Sequence, residues 1–175
     1  LETYYTSVNE DAPPIARFLV EQGRSIASSN VQALEIGCGP TVHHALAIAP
    51  YVESLDMADY LADNLAEIQK WRENQPDAFS WHHYTEMVIN AEGKTATPQQ
   101  IDERENTLRK KIRALHTCDI TQAPPLARAG SYPLVLSFYC AEEVGTTHTE
   151  WEKVMRNISM MVSPGGYLFL SALRD

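Results

Sequence analysis

The run Leu34-Glu35-Ile36-Gly37-Cys38-Gly39-Pro40, followed 22 residues beyond Gly37 by Asp59, constrains this chain more than any other feature. An apolar stretch ending on two closely spaced glycines reads as a strand that enters a tight turn and then a helix. Glycines there let the backbone approach a ligand, and the helix N-terminus offers free N–H groups. An acid near the end of the next strand can accept both hydroxyls of an adenosine ribose. Gly37, Gly39 and Asp59 are therefore the first candidate ligand contacts. The dinucleotide pattern needs a small residue at position 42, which is Val42, and Pro40 removes a backbone donor. A pyrophosphate is disfavoured on both counts, whereas an adenosine ligand without phosphate tolerates them.

Strands and helices alternate around this turn. Pro13-Pro14 opens a helix from Ile15 to about Ser28, with Asp11 as its cap and Ile15, Phe18, Leu19 and Ile26 on one stripe. Then come a strand over 31–36, a helix over 41–49 stopped by Pro50, a strand over 52–57 and a helix over 64–73. Residues 77–90 read as a helix or helical turns, and Glu92-Gly93-Lys94 as a turn. Pro98 starts a helix that runs to about Ala114, before a strand over 115–120. Pro124-Pro125 and Gly130 mark a loop, and Leu134–Tyr139 is a largely apolar strand, buried on both faces. A helix over 150–162, a tight turn at Pro164-Gly165-Gly166 and a strand over 167–173 complete the chain. The pattern predicts an α/β fold, with a central parallel sheet flanked by helices in one domain over residues 1–175. So apolar a last strand would be a sticky open edge, and further chain is expected to follow and cover it.

Composition narrows the partners. The 175 residues suit one hydrophobic core, and their net charge of −9 does not suit a nucleic-acid binder. The basic cluster from Arg104 to Arg113 is interleaved with Glu103 and Glu105 and reads as a solvated helix face. No run of about 18 apolar residues marks a membrane span. The start, Leu1-Glu2-Thr3-Tyr4-Tyr5, does not resemble a signal peptide, so a cytoplasmic location is expected. Cys38, Cys118 and Cys140 are few, odd in number and without CxxC spacing, which predicts free thiols. The pairs His43-His44 and His82-His83 point apart on a helix and are poor chelates, so no metal is expected. Tyr4, Trp71 and Trp81 are read as packing residues. An acid at the end of the third strand, Asp119 in Cys118-Asp119-Ile120, can reach an adenine amino group while Ile120 packs on the ring, although a turn aspartate has the same appearance.

Taken together, Leu34 to Thr41, Ala58-Asp59-Tyr60, Glu67 to Trp71, Asp77-Ala78-Phe79-Ser80-Trp81, Glu92-Gly93-Lys94, Cys118 to Gln122 and Pro164-Gly165-Gly166 resemble the nicotinamide, phenylethanolamine and thioether methyltransferases. The resemblance covers nearly the whole chain. It implies a Rossmann-like class I methyltransferase fold, with S-adenosyl-L-methionine as cofactor and S-adenosyl-L-homocysteine as product. By position it implies that Tyr5 closes over the cofactor, that Gly37, Gly39 and Thr41 line its methionine part, and that Asp59, Tyr60 and Asn64 meet the adenosine. Asp119 and Ile120 match the adenine contacts, and Glu142 falls where relatives carry an acid near the substrate. Relatives have a tyrosine where this chain has His43, a further cofactor contact. Another cofactor tyrosine would precede Leu1, and the last substrate-binding strands would follow Asp175, so the domain is expected to be incomplete at both ends.

A sulfonium methyl is already activated, so such an enzyme mainly supplies proximity and alignment. The expected acceptor is a small-molecule amine or heteroaromatic nitrogen, with Glu142, or its neighbour Glu143, holding the amine and taking its proton. Transfer to a thioether or thiol is the alternative within the class, and a non-catalytic cofactor-binding or interaction domain the alternative outside it. No nucleic acid or membrane partner is expected, and the protein is expected to be a monomer.

Overall fold

The computed structural model describes residues 1–26, 31–127 and 131–171, in which five parallel strands form one sheet of order β3-β2-β1-β4-β5. These are β1 (Gln32–Ile36), β2 (Ser54–Asp59), β3 (Ile112–Thr117), β4 (Tyr132–Phe138) and β5 (Val162–Ser171). The helices among the described residues are α1 (Ala12–Ile26), α2 (His43–Ile48), α3 (Ala62–Arg72), α4 (His82–Ala91), α5 (Pro98–Lys111), α6 (Ala141–Val144) and α7 (His148–Ser159). The expected helix end at Ser28, the loop residue Gly130 and the strand end at Leu173 lie outside the described residues.

The alternation of side chains along each strand sorts the core into two layers. Ala33, Leu55, Met57, Leu134 and Leu136 face one layer with residues from α1 to α5. Leu34, Ile36, Ala58 and Val135 face the other, against Val154 and Ile158 of α7. Both faces of the central strands are thus apolar, as a parallel sheet requires. Each fully buried Leu or Ile contributes roughly 1.5–3 kcal/mol. The order reverses between β1 and β4, which start opposite crossovers, and in open α/β sheets a ligand crevice forms outside the strand ends at such a point.

Several boundaries differ from the sequence reading. The helix expected to reach Ala114 stops at Lys111, and Ile112 begins β3. Ile112 pairs with Leu55 at the sheet, and the Lys111 ammonium donates to the carbonyls of Ala49 and Val52, which pins the helix end there. Pro164-Gly165-Gly166 is no turn ahead of a strand but part of β5, where the register with β4 shifts between Tyr132 and Leu134. Gly165 has φ +77°, the left-handed geometry of a bulge glycine. Phe18, expected on the buried stripe of α1, is exposed and packs edge-on against Phe169 at 5.4 Å. The basic cluster is not a free solvated face. Arg104 holds the Leu46 carbonyl and Glu92, Arg109 holds Glu105 and lies 4.2 Å over the Trp71 ring, and Arg113 holds Asp56.

Candidate functional site

The glycine turn is built by backbone pairing with β2. The N–H groups of Gly37 and Cys38 both donate to the Ala58 carbonyl, and that of Gly39 donates to Asp59 Oδ2 at 2.7 Å. Pro40 has none to give. The loop therefore spends its donors internally, which is incompatible with a phosphate cradle and suits a ligand that needs close approach alone. Gly37 (φ +72°) is further required by packing, since a Cβ there would overlap the Cys140 sulfur.

Asp59 organises the same corner. Its Oδ1 accepts from Leu61 N–H and Asn64 Nδ2, each at 2.9 Å, while Oδ2 accepts from Gly39. A carboxylate has about four lone-pair directions. Three are used, so one remains for a ribose hydroxyl where the sequence reading allotted it two. Asn64 orients Asp59 and lines a separate surface hollow beside Pro40 and Glu67, away from the crevice.

Two cavities meet across Gly37. The smaller, about 270 Å³, is lined by Tyr60, Cys118, Asp119, Ile120, Thr121, Cys140 and Val144. Ile120 is buried, whereas Tyr60 is exposed on the opposite wall. Asp119 is also the acid of a turn, accepting from the Thr121 N–H and hydroxyl, bonds that hold its carboxyl below its usual range. Asp119 is thus a turn aspartate that also lines this cavity. This cavity has mostly apolar walls and a single acid, the features an adenine ring would need.

The larger cavity, about 410 Å³, contains Tyr5, Gly37, Gly39, Thr41 and His43 in its wall. Tyr5 stands within 5.8 Å of the His43 ring and 5.4 Å of Trp81, centroid to centroid, and burial pushes its phenol up to about 12. Thr41 donates its hydroxyl to the Cys38 carbonyl. His43 is half-buried with its Nδ1 enclosed and making no hydrogen bond, and desolvation, then neighbouring His44, keeps it neutral. Residues not expected there from the sequence also line the wall, namely Asn9, Asp11, His44 and Tyr139, together with Glu143, the expected alternative to Glu142.

Tyr139 follows β4 with φ +51°, a left-handed conformation unusual for a bulky residue and often found where a side chain is aimed at a ligand. Burial, then the charge of Asp11, raises its phenol, with Glu142 adding to the effect. Glu142 itself is half-buried and does not line the cavity, and Glu143 is the acid of that pair that reaches the wall. Asp11, read as a helix cap, also faces the cavity. Local propensity carries no signal for these placements, because each depends on where α1 and the β4 end meet.

The sequence pattern of the NNMT/PNMT/TEMT family matches residues 1–175. Phenylethanolamine N-methyltransferase of Macaca mulatta is 30% identical over 141 residues, 78% of this chain and 49% of that protein. Nicotinamide N-methyltransferase of Homo sapiens is 30% identical over 142 residues, 78% of this chain and 52% of that protein. The chain thus spans about half the length of the curated relatives it matches. Among solved structures, Streptomyces venezuelae DesVI has a TM-score of 0.57 at 16% identity, over 97% of this chain and 54% of its own. CalS10, an amino pentose methyltransferase solved with SAM bound, has 0.56 at 16% identity, over 97% and 54%. At such identities the likeness concerns the fold, and both neighbours share the class I methyltransferase architecture.

Proposed function

We propose, since this chain belongs to the NNMT/PNMT/TEMT family, that it is the cofactor-binding part of an S-adenosylmethionine-dependent small-molecule N-methyltransferase. The observation that carries this reading is the pair of cavities joined at Gly37, with Asp59 behind the join. That arrangement fits an adenosyl amino acid laid across the strand ends. Adenine would rest on Ile120 beside Asp119, the ribose would meet Asp59, and the amino-acid end would enter the cavity of Tyr5, Thr41 and His43.

The cofactor supplies an electrophilic methyl on a sulfonium, ready for in-line displacement. The protein's share is positioning and proton handling. Aromatic walls from Tyr4, Tyr5 and Tyr139 can hold a flat or cationic acceptor. Asp11 and Glu143 face the same space, and Glu142 is near enough to act on the Tyr139 phenol. A carboxylate there can draw in an ammonium and accept its proton, leaving the nitrogen lone pair free to attack. The acidic wall favours an amine over an anionic acceptor.

Calorimetric titration with S-adenosylhomocysteine tests the cofactor site. Micromolar binding that Asp59→Ala abolishes is the expected result, and a folded protein that does not bind would overturn the reading. An amine screen on the family-length protein then separates the acids. Glu142→Gln and Glu143→Gln are each expected to retain cofactor affinity, and the one that serves the acceptor loses turnover.

A further inference from the structure

We propose that Glu35 and His44 form an internal pair whose shared proton keeps an imidazole N–H turned toward the amino-acid end of the cofactor. This rests on the cofactor reading above and adds a positioning role that the glycine motif does not itself reveal.

The cofactor's amino-acid end carries a carboxylate, which needs hydrogen-bond donors. Among the described residues lining the larger cavity there is no Lys or Arg. The amides of the glycine turn are committed to Ala58 and Asp59, and the Thr41 hydroxyl to Cys38. The side-chain donors left on this wall are the Tyr4, Tyr5 and Tyr139 phenols, the Asn9 amide and the two imidazoles, and of these His44 is the one held by a buried acid.

His44 is not a free imidazole. Its Nδ1 lies 3.0 Å from Glu35 Oε1, and its ring packs on Phe138 with centroids 4.4 Å apart. Nδ1 being engaged, Nε2 is the nitrogen available to a ligand. Glu35 sits in β1 with 2% of its surface exposed, and its Oε2 makes no hydrogen bond. A buried carboxylate anion with one bare oxygen is costly, and a neutral acid in the same place costs much less. The titratable groups around the pair give the anion no help. Asp59 at the end of β2 carries a like charge, the Cys38 thiol in the turn is pushed well above its usual range by burial and stays neutral, and His43 on α2 is kept neutral by burial. Burial, then the Asp59 charge, pushes Glu35 up to about 8, and burial takes His44 down to about 3.

At neutral pH the pair therefore holds one proton between Oε1 and Nδ1. Whichever of these atoms carries it, Nε2 keeps its own hydrogen and faces a carboxylate as a donor. Once the pair loses that proton, the remaining hydrogen moves to Nδ1 to serve the Glu35 anion, and Nε2 presents a lone pair. A carboxylate is then repelled where it was held.

The test is calorimetry at pH 6.5 and 9 with S-adenosylhomocysteine and with 5′-methylthioadenosine, which lacks the amino-acid end. Wild type is expected to lose about tenfold in affinity for the first ligand across this range, the scale of one charged hydrogen bond, and none for the second. Glu35→Gln, which cannot ionise, is expected to remove that loss apart from any part due to the ligand's own amine. Nitrogen-15 NMR of the wild type should show His44 protonated at Nε2 at pH 6.5 and at Nδ1 at pH 9, a readout that needs no variant to fold. An equal loss in both proteins, or a His44 already in the Nδ1–H form at pH 6.5, would overturn the proposal alone. Failure of both ligands to bind would overturn the cofactor reading as well.

Discussion

A Cβ on Gly37 would lie 2.6 Å from the Cβ of Cys140 and overlap its sulfur, whereas one on Gly39 would meet nothing closer than 3.9 Å. The two glycines share a left-handed backbone, φ +72° and +60°, so each alanine replacement bears a strain of about 1–2 kcal/mol. Only Gly37 adds a steric clash with a neighbouring loop. Gly39→Ala is therefore expected to cost about 1 kcal/mol in urea unfolding, and Gly37→Ala at least twice as much. Equal costs would show that the Cys140 loop yields freely. The motif made both glycines legible, but it could not rank them, since Cys140 is remote in sequence and meets Gly37 only through the pairing of β1 with β4.

At the scale of elements, α5 shows how a charged helix becomes part of the frame. Thr97 and Gln100 close a capping box at its start, a threonine-to-glutamine spacing that the sequence displays openly. Its far end is fixed by tertiary bonds. Glu105 is buried and accepts from the Thr85 hydroxyl and from Arg109, whose guanidinium also covers Trp71. Arg109→Met would leave a buried carboxylate without its cation, at a cost of about 3 kcal/mol. Glu105→Gln in the same chain should recover a large part of that loss, and a double-mutant cycle in guanidinium measures the coupling. The sequence alone reads Arg104 to Arg113 as solvated, because charge spacing on a helix does not say which carbonyl ends and acids will lie opposite it.

Across the whole molecule, the Glu35–His44 pair ties stability to pH with a sign that can be worked out. Folding raises Glu35 from 4.5 to about 8 and lowers His44 from 6.5 to about 3. Between pH 4.5 and 6.5 the unfolded chain has lost the glutamate proton and gained the histidine one, so the two effects cancel. Above 6.5 the unfolded chain has lost both while the folded one keeps a proton, and stability falls until about pH 8. Below 4.5 the unfolded chain binds the extra proton, and stability falls again toward pH 3. The upper limb amounts to about 2 kcal/mol at 1.4 kcal/mol per pH unit. Urea unfolding at pH 6 and 8 should show it in wild type and not in Glu35→Gln. At the same scale, β5 forms one of the two sheet edges among the described residues, with Tyr167 and Leu170 exposed, in a chain spanning about half the length of its curated relatives.

The sequence by itself determined the fold class, the order of strands and helices along the chain, and the glycine turn with its acid. These follow from hydrophobic period and from backbone conformations that only glycine adopts easily, and both are local properties. Tyr5, Thr41, His43, Tyr60, Asp119 and Ile120 were also legible by position, and all line the joined cavities. Tertiary structure alone decided that Asn64 braces Asp59, that Glu143 and Asp11 reach the wall, and that Tyr139 turns into the cavity. It also decided that Glu35, nine residues from His44, lies 3.0 Å from its Nδ1. Such pairings come from strand register and from the approach of distant loops. Their chemistry comes from burial, which no residue carries until the two layers close around the sheet.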